Sequence, residues 1–140
     1  MKIVYSYYCL DILHIGHILM MKKSKEVAGK DGILVAGILT DTAIMEKKTK
    51  PILSFKERME IAKSIKYIDK VILQETYSPL PNLKKVKPSI LMESSSHAKQ
   101  DIIKVQQYME SINGEVIIVP YYDGQSSKRI KNLIKRMVIK

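Results

Sequence analysis

Two histidines bracket a glycine near the start of the chain, in Leu10-Asp11-Ile12-Leu13-His14-Ile15-Gly16-His17, directly after the apolar run Lys2 to Tyr8. Imidazole donates or accepts hydrogen bonds and titrates close to neutral pH, so a histidine pair suits a ligand on which negative charge moves during reaction. Ile3-Val4-Tyr5 predicts the first half of a buried strand, and the residues from Gly16 or His17 onward predict a helix. The histidines therefore fall at a strand-to-helix junction, where unpaired N–H groups and the positive end of the helix dipole meet. Such a junction suits phosphate, and Gly16 would let the helix start approach it closely. Near the other end, Ser126 or Ser127 is placed to cap a final basic helix, Lys128 to about Met137, a second helix start with hydroxyls and N–H groups to offer. A histidine pair alone could merely pack or bind a metal; the two helix starts together favour phosphates.

The elements that must position these residues alternate along the chain. Gly32-Ile-Leu-Val-Ala-Gly-Ile-Leu-Thr40 is a continuous apolar run, as expected for a parallel strand covered on both faces. Asp41 to Pro51 is polar and lysine-rich without clear periodicity. Ser54 and Glu57 form a capping box before a helix through about Ile65. Asp69 to Leu73 predicts a third strand, Ser78 to Lys87 one or two helical turns around Pro79 and Pro81, and Pro88 to Glu93 a fourth strand. Ile102, Ile103, Val105, Met109 and Ile112 follow helical spacing, and Asn113-Gly114 stops that helix before a fifth strand, Glu115 to Pro120. Five strands alternating with helices predict a single domain over residues 1–140 with an α/β fold, an open, doubly wound parallel sheet with helices on both faces. Ligands of such sheets bind beyond the carboxyl ends of the strands. The loops there are 8–16, 40–51, 74–81, 93–99 and 121–127, and they hold most of the unusual polar residues.

Composition limits the function classes. The 140 residues, 46% hydrophobic and 27% charged, suit one globular domain with a real core. The apolar runs are only strand-length, too short for a transmembrane helix, and the first residues lack the pattern of a signal peptide, so a cytoplasmic location is expected. Cys9 is the only cysteine, which excludes an intrachain disulfide and a cysteine-based metal site. A net charge of +10 suits polyanions, but lysine far outnumbers arginine and no arginine-aromatic stacking surface is evident. Phosphate-rich small molecules are therefore preferred to nucleic acid as partners.

Asp11-x-x-His14-x-Gly16-His17 resembles the signature of the cytidylyltransferase-type nucleotidyltransferases, Gly-x-Phe-Asp-x-x-His-x-Gly-His, and Asp123-Gly124-Gln125-Ser126-Ser127 is similar to that family's Glu-Gly-Ile-Ser-Thr/Ser segment. Between them Leu39-Thr-Asp-Thr-Ala-Ile, Ser54-Phe-Lys-Glu-Arg-Met-Glu-Ile and Ile65-Lys-Tyr-Ile-Asp-Lys-Val-Ile match the family in order and spacing. The middle blocks, with Lys50-Pro-Ile-Leu-Ser-Phe and Pro81-Asn-Leu-Lys-Lys-Val-Lys-Pro, look most like cytidylyltransferases acting on 2-aminoethylphosphonate or 2-hydroxyethylphosphonate. The sequence departs from the family in four places. Tyr8 replaces Gly, Leu10 replaces Phe, Glu93-Ser-Ser-Ser-His97 replaces a Gly-Asp-Asp/Glu-Trp-like segment, and Gln125 replaces the usual Ile.

The resemblance implies a Rossmann-like nucleotidyltransferase fold and transfer of CMP from CTP, with Mg²⁺, to a small phosphonate or phosphate, releasing pyrophosphate. It implies that His14, His17 and Lys47 are catalytic, with Lys48 and Lys50 as near substitutes for the lysine. Tyr8, Cys9, Gly16, Arg58, Gln125, Ser126 and Ser127 would bind the nucleotide, although Arg58 could also organise a dimer or form a surface ion pair. Asp11, Ser94 and Ser95 would face the acceptor; Asp11 is equally compatible with capping or Mg²⁺ ligation, and metal ligands are otherwise unassigned. A homodimer is a further family-based expectation. Glycerol-, choline- or ethanolamine-phosphate cytidylyltransferase, an adenylyltransferase of the same fold, and a non-catalytic nucleotide- or nucleic-acid-binding module are the alternatives.

Overall fold

The fold was analysed in a computed structural model that describes residues 1–138. The first strand, β1 (Ile3–Tyr8), leads through a tight turn into α1 (Ile15–Ala28), and β2 (Ile33–Leu39) follows. Thr40 then caps a short helix, α2 (Asp41–Met45), accepting a hydrogen bond from the Ala43 N–H. The expected capping box is present: Ser54 and Glu57 exchange side-chain and backbone hydrogen bonds at the start of α3 (Phe55–Lys63). The rest runs β3 (Lys70–Gln74), α4 (Leu80–Val86), β4 (Ile90–Ser94), α5 (Lys99–Ser111), β5 (Glu115–Val119) and α6 (Ser127–Val138).

All five strands are parallel, in the order β3-β2-β1-β4-β5. Chain order reverses on either side of β1, so the ends of β1 and β4 diverge into the crevice where ligands of such sheets bind. The period-2 alternation of the strands divides the core between two faces. Tyr5, Val35 and Leu91 pack with Leu83 of α4 and with Val105 and Met109 of α5. Tyr8, Ala36 and Ile38 pack against Met21 of α1 and Ala62 of α3, and Val4, Leu34 and Met92 against Ala28. The doubly wound architecture expected from the alternating pattern is the one observed.

A polar network inside the first face sets the loop after β3. The Tyr5 hydroxyl donates to Gln74 Oε1 at 2.6 Å and accepts from Asn82 Nδ2 at 2.9 Å. Gln74 Nε2 in turn donates to the carbonyls of Thr76 and Tyr77, so a buried tyrosine in the central strand fixes where Tyr77 stands. Gly37 makes room for this: a Cβ there would lie 1.9 Å from the Tyr5 hydroxyl. The turn after β1 places Leu10 at φ 58 with its side chain fully buried. Burial of Leu10 against the α1–α3 face offsets the cost of left-handed backbone and aims Asp11 inward. No described helix is long and apolar enough to cross a membrane.

Candidate active site

The histidine junction is built by the histidines themselves. His14 is the N-cap of α1: its Nδ1 accepts a hydrogen bond from the Gly16 N–H at 3.0 Å, while His17 Nδ1 accepts from the His14 N–H at 3.2 Å. This is a capping box made of imidazoles, and it settles their protonation. A nitrogen that accepts from a backbone N–H carries no proton, so each ring holds its proton on Nε2. Burial, followed by His14 and the Lys48 ammonium, pulls the His17 pKa down to about 3, and burial lowers His14 as well. Both rings are thus neutral donors at pH 7, rather than the groups titrating near neutrality that their residue type suggests. Gly16 serves this arrangement directly, since a Cβ on it would meet His14 Cε1 at 2.8 Å and the Tyr122 ring at 3.1 Å.

The start of α6 forms another wall. Ser126 Oγ accepts from the Arg129 N–H, Ser127 Oγ donates to the Ile12 carbonyl, and Gln125 Oε1 accepts from the Ser126 N–H. The Ser127 hydroxyl is spent on the β1–α1 turn, but Ser126 Oγ accepts and can still donate its own O–H, so a phosphate here would be met by that hydroxyl and the first-turn N–H groups of the helix. The helix turns its polar side inward, with Lys128, Lys131, Asn132 and Lys135 on the cavity wall and Ile134 and Met137 exposed. Part of the positive charge seen in the composition is therefore directed at the site. Lys131 Nζ is paired with Asp11 Oδ2 at 2.7 Å, and Asp11 Oδ1 accepts from the N–H groups of Ile52 and Leu53. Burial works to raise the Asp11 pKa, but Lys131 and these two N–H groups outweigh it and hold it below the usual carboxylate range. Asp11 thus lashes the turn, the segment before α3 and α6 together.

These walls enclose a cavity of about 1010 Å³ at the carboxyl ends of the strands. It is lined by Tyr8, Cys9, Asp11, His14, Gly16, His17, Ser94, Gln125, Ser126 and Ser127 among the residues expected from the sequence. Tyr8 stands edge-on to His17, with centroids 6.2 Å apart, and burial pushes the Cys9 thiol pKa up. Ser95 is not on the wall; its hydroxyl accepts from the Tyr121 N–H and ties two loops together.

Two further expectations are corrected. Arg58 is fully buried beneath the site and does not line the cavity. Its guanidinium donates to the carbonyls of Cys9 at 2.7 Å, Leu39 at 2.6 Å and Leu53 at 3.3 Å, and pairs with Asp41 at 2.7 Å. With those donors committed to the ends of β1 and β2, it is a strut, neither a nucleotide contact nor a surface ion pair. Lys47 points away from the large cavity, pairing with Asp101 at 2.7 Å beside the Tyr77 ring. Lys48 takes the place on the cavity wall, with its Nζ 4.0 Å from Cys9 Sγ and 6.0 Å from the Tyr77 ring. The sequence also gave no sign of Lys131, or of Tyr7, Glu93 and His97 as a bonded group.

The cavity carboxylates bear on the magnesium expectation. Among the described residues no group of three or more His, Cys, Asp or Glu side chains could hold a metal ion. The two carboxylates lining the cavity, Asp11 and Glu93, have all their oxygens engaged by protein donors. These residues do not fit a resident metal centre.

A parallel 3-2-1-4-5 sheet with neutral imidazole donors and lysines at its switch point defines a doubly wound α/β protein whose candidate site is suited to phosphate groups. Residues 9–134 match the cytidylyltransferase-like family, and the chain belongs to it. An FAD synthase from Korarchaeum cryptofilum is 31% identical over 128 residues, covering 89% of this chain and 86% of that protein. The bifunctional protein HldE of Citrifermentans bemidjiense is 29% identical over 131 residues, which are 92% of this chain but only 26% of HldE, so the chain spans about a quarter of that relative. The crystal structure of a lipopolysaccharide core biosynthesis protein from Thermoplasma volcanium superimposes with a TM-score of 0.73 at 26% identity, covering 89% of this chain and 99% of that one. These relatives are FAD synthase and HldE proteins rather than phosphonate enzymes, so the phosphonate branch rests on the sequence resemblance alone.

Proposed function

We propose that this chain transfers a nucleoside monophosphate from a nucleoside triphosphate to a phosphate- or phosphonate-bearing acceptor. The observation that carries this reading is the imidazole capping box, which leaves two neutral Nε2–H donors on the wall that also presents Lys48 and the start of α6. An acceptor oxygen would attack the α-phosphorus as its bond to the α–β bridging oxygen breaks, and pyrophosphate would leave with that electron pair. A dianionic acceptor needs no general base, so alignment and stabilisation of moving charge are the protein's tasks. In this reading His14, His17 and the α6 N–H groups hold the departing phosphates, and Lys48 neutralises charge between acceptor and α-phosphate. Mg²⁺ belongs to the nucleotide as its phosphate counter-ion.

The finer reading, CMP transfer from CTP to 2-aminoethylphosphonate or a similar small phosphonate, is supported by the middle blocks of the sequence. A second reading, AMP transfer of the kind that makes FAD, is favoured by the FAD synthase relative, which this chain matches over most of both lengths. A pyrophosphate-release assay decides between them: CTP and ATP are each offered with 2-aminoethylphosphonate, glycerol phosphate, choline phosphate or FMN. Turnover with CTP and the phosphonate is expected. Turnover only with ATP and FMN would establish the second reading, and absence of pyrophosphate from every pair would remove both.

A further inference from the structure

The loop after β4 holds a group that the reaction outlined above does not use. Glu93 is a carboxylate only 2% exposed at the end of a central strand. The Tyr7 hydroxyl lies 2.8 Å from both its oxygens, the Ser94 N–H donates to Oε1 at 3.0 Å, and His97 Nδ1 is bonded to the same oxygen. The Tyr7 ring stacks on the His97 ring with centroids 5.5 Å apart, and Tyr77 meets it edge-on at 6.1 Å. Every side of this imidazole is fixed except Nε2. Burying a carboxylate costs free energy unless it is fully hydrogen-bonded, and an apolar residue could fill the space at the strand end. The arrangement instead uses the carboxylate to aim a histidine.

What His97 is aimed at follows from its neighbours. It lines the main cavity and also a smaller adjoining one of about 160 Å³, with Tyr7, Glu93 and Tyr77 common to both. Lys48 stands between Cys9 and Tyr77, and so between the histidine junction and His97. The residue after His97, Ala98, caps α5 with no side-chain hydrogen bond; its carbonyl accepts from the Asp101 N–H, and the Asp101 carboxylate in that first turn pairs with Lys47. His97 Nδ1 donates to the Glu93 carboxylate, so Nε2 donates to a ligand only in the imidazolium form; that form, paired with Glu93, and the Lys48 ammonium would converge on an anion. We propose that His97 is the residue that binds the phosphate or phosphonate group of the acceptor, with Glu93 and Tyr7 as its positioning residues. The assignment rests on the nucleotidyl-transfer reading, and it gives a role to Glu93 and His97, the two ends of the segment at which this sequence departs from its family's pattern.

The chain has three histidines, so each gives its own signal in a long-range ¹H–¹⁵N spectrum of ¹⁵N-histidine-labelled protein. A non-hydrolysable CTP or ATP analogue is expected to move the Nε2 signals of His14 and His17 and leave His97 in place. Inorganic phosphate or 2-aminoethylphosphonate, added to that complex, is expected to move His97 Nε2. In steady-state assays His97→Ala should raise the acceptor KM about tenfold or more while the nucleotide KM changes far less, with Glu93→Gln following it and Tyr7→Phe weaker. If the nucleotide moves His14 and His17 but neither phosphorus compound moves His97, the inference fails and the transfer reading stands. A His97 that answers to the nucleotide alone would likewise overturn it. Silence of His14 and His17 toward both nucleotides would overturn the transfer reading, and this inference with it.

Discussion

Replacing Arg58 separates a strut from a ligand contact. Methionine at this position keeps most of the aliphatic volume, so the change removes mainly charge and donors. The two short bonds from Nη1, to Cys9 O at 2.7 Å and Leu39 O at 2.6 Å, involve a charged donor and contribute about 1.5–3 kcal/mol each. The bond to Leu53 O at 3.3 Å is long, and Asp41 is 39% exposed, so water can take over that pairing and its share is at most about 1 kcal/mol. Since some carbonyls would recover partners after relaxation, Arg58→Met is expected to destabilise by about 3–5 kcal/mol. Arg58→Lys keeps the charge but lacks the planar fork and should lose about half of that. Urea unfolding gives the two stabilities, and thermal shift with nucleotide analogues gives binding to whatever remains folded. If Arg58→Met unfolds within about 1 kcal/mol of the parent yet no longer binds nucleotide, the donors are spent on ligand and the reasoning is wrong.

Three further outcomes follow from the geometry. His17 accepts a proton in the unfolded chain near the ordinary histidine value and in the folded one only near 3, so between those values the unfolded state holds more protons and stability falls as pH is lowered. His17→Gln keeps an N3 side chain able to complete the capping box but cannot titrate, so acid unfolding curves should show the variant losing less stability than the parent between about pH 6.5 and 3; superimposable curves would contradict the lowered value. Lys48→Ala should reduce the rate of pyrophosphate release at least tenfold, about 1.4 kcal/mol of barrier, whereas Lys47→Ala should stay within a few-fold of the parent; the reverse order would restore Lys47 to the site. Gly37→Ala drives a methyl into the Tyr5 hydroxyl and should cost about 1–3 kcal/mol by denaturant unfolding. Combining it with Tyr5→Phe should cost less than the sum of the two, and strict additivity would show that the contact is not the cause.

The frame was legible because its signals are local. The apolar run of β2, the Ser54–Glu57 box and the Asn113-Gly114 stop each encode an element within a few residues. Helix α2 escaped because five residues carry too little periodicity to see, although Thr40 caps it in the ordinary way. That short helix also decided the lysine: one residue's difference at its end sends Lys47 toward Asp101 and Lys48 toward Cys9, a choice no spacing rule reveals. From the sequence, Arg58 in a capped helix is expected to bind the nucleotide. It is buried because α3 packs under the ends of β1 and β2, a tertiary fact. Glu93 and His97 are four apart but span a strand end and a turn, so neither helical nor strand periodicity links them. The imidazole junction was found for the right reason, its place between strand and helix, while its protonation needed the hydrogen bonds.

The Lys131–Asp11 pair joins residues 120 positions apart, and Ser127 reaches back to Ile12 beside it. A nascent chain that has emerged through β5 already owns every strand and both histidines, yet the turn that carries Asp11 has no partner for Oδ2 and the cavity lacks a side. If the last helix docks after the sheet has formed, the candidate site is completed only at that step. An intermediate with an ordered sheet and an undocked final helix would show native-like strand protection in hydrogen exchange while failing to hold a triphosphate. Binding nucleotide would then report completion of folding and also draw it forward, since only the closed form has the site.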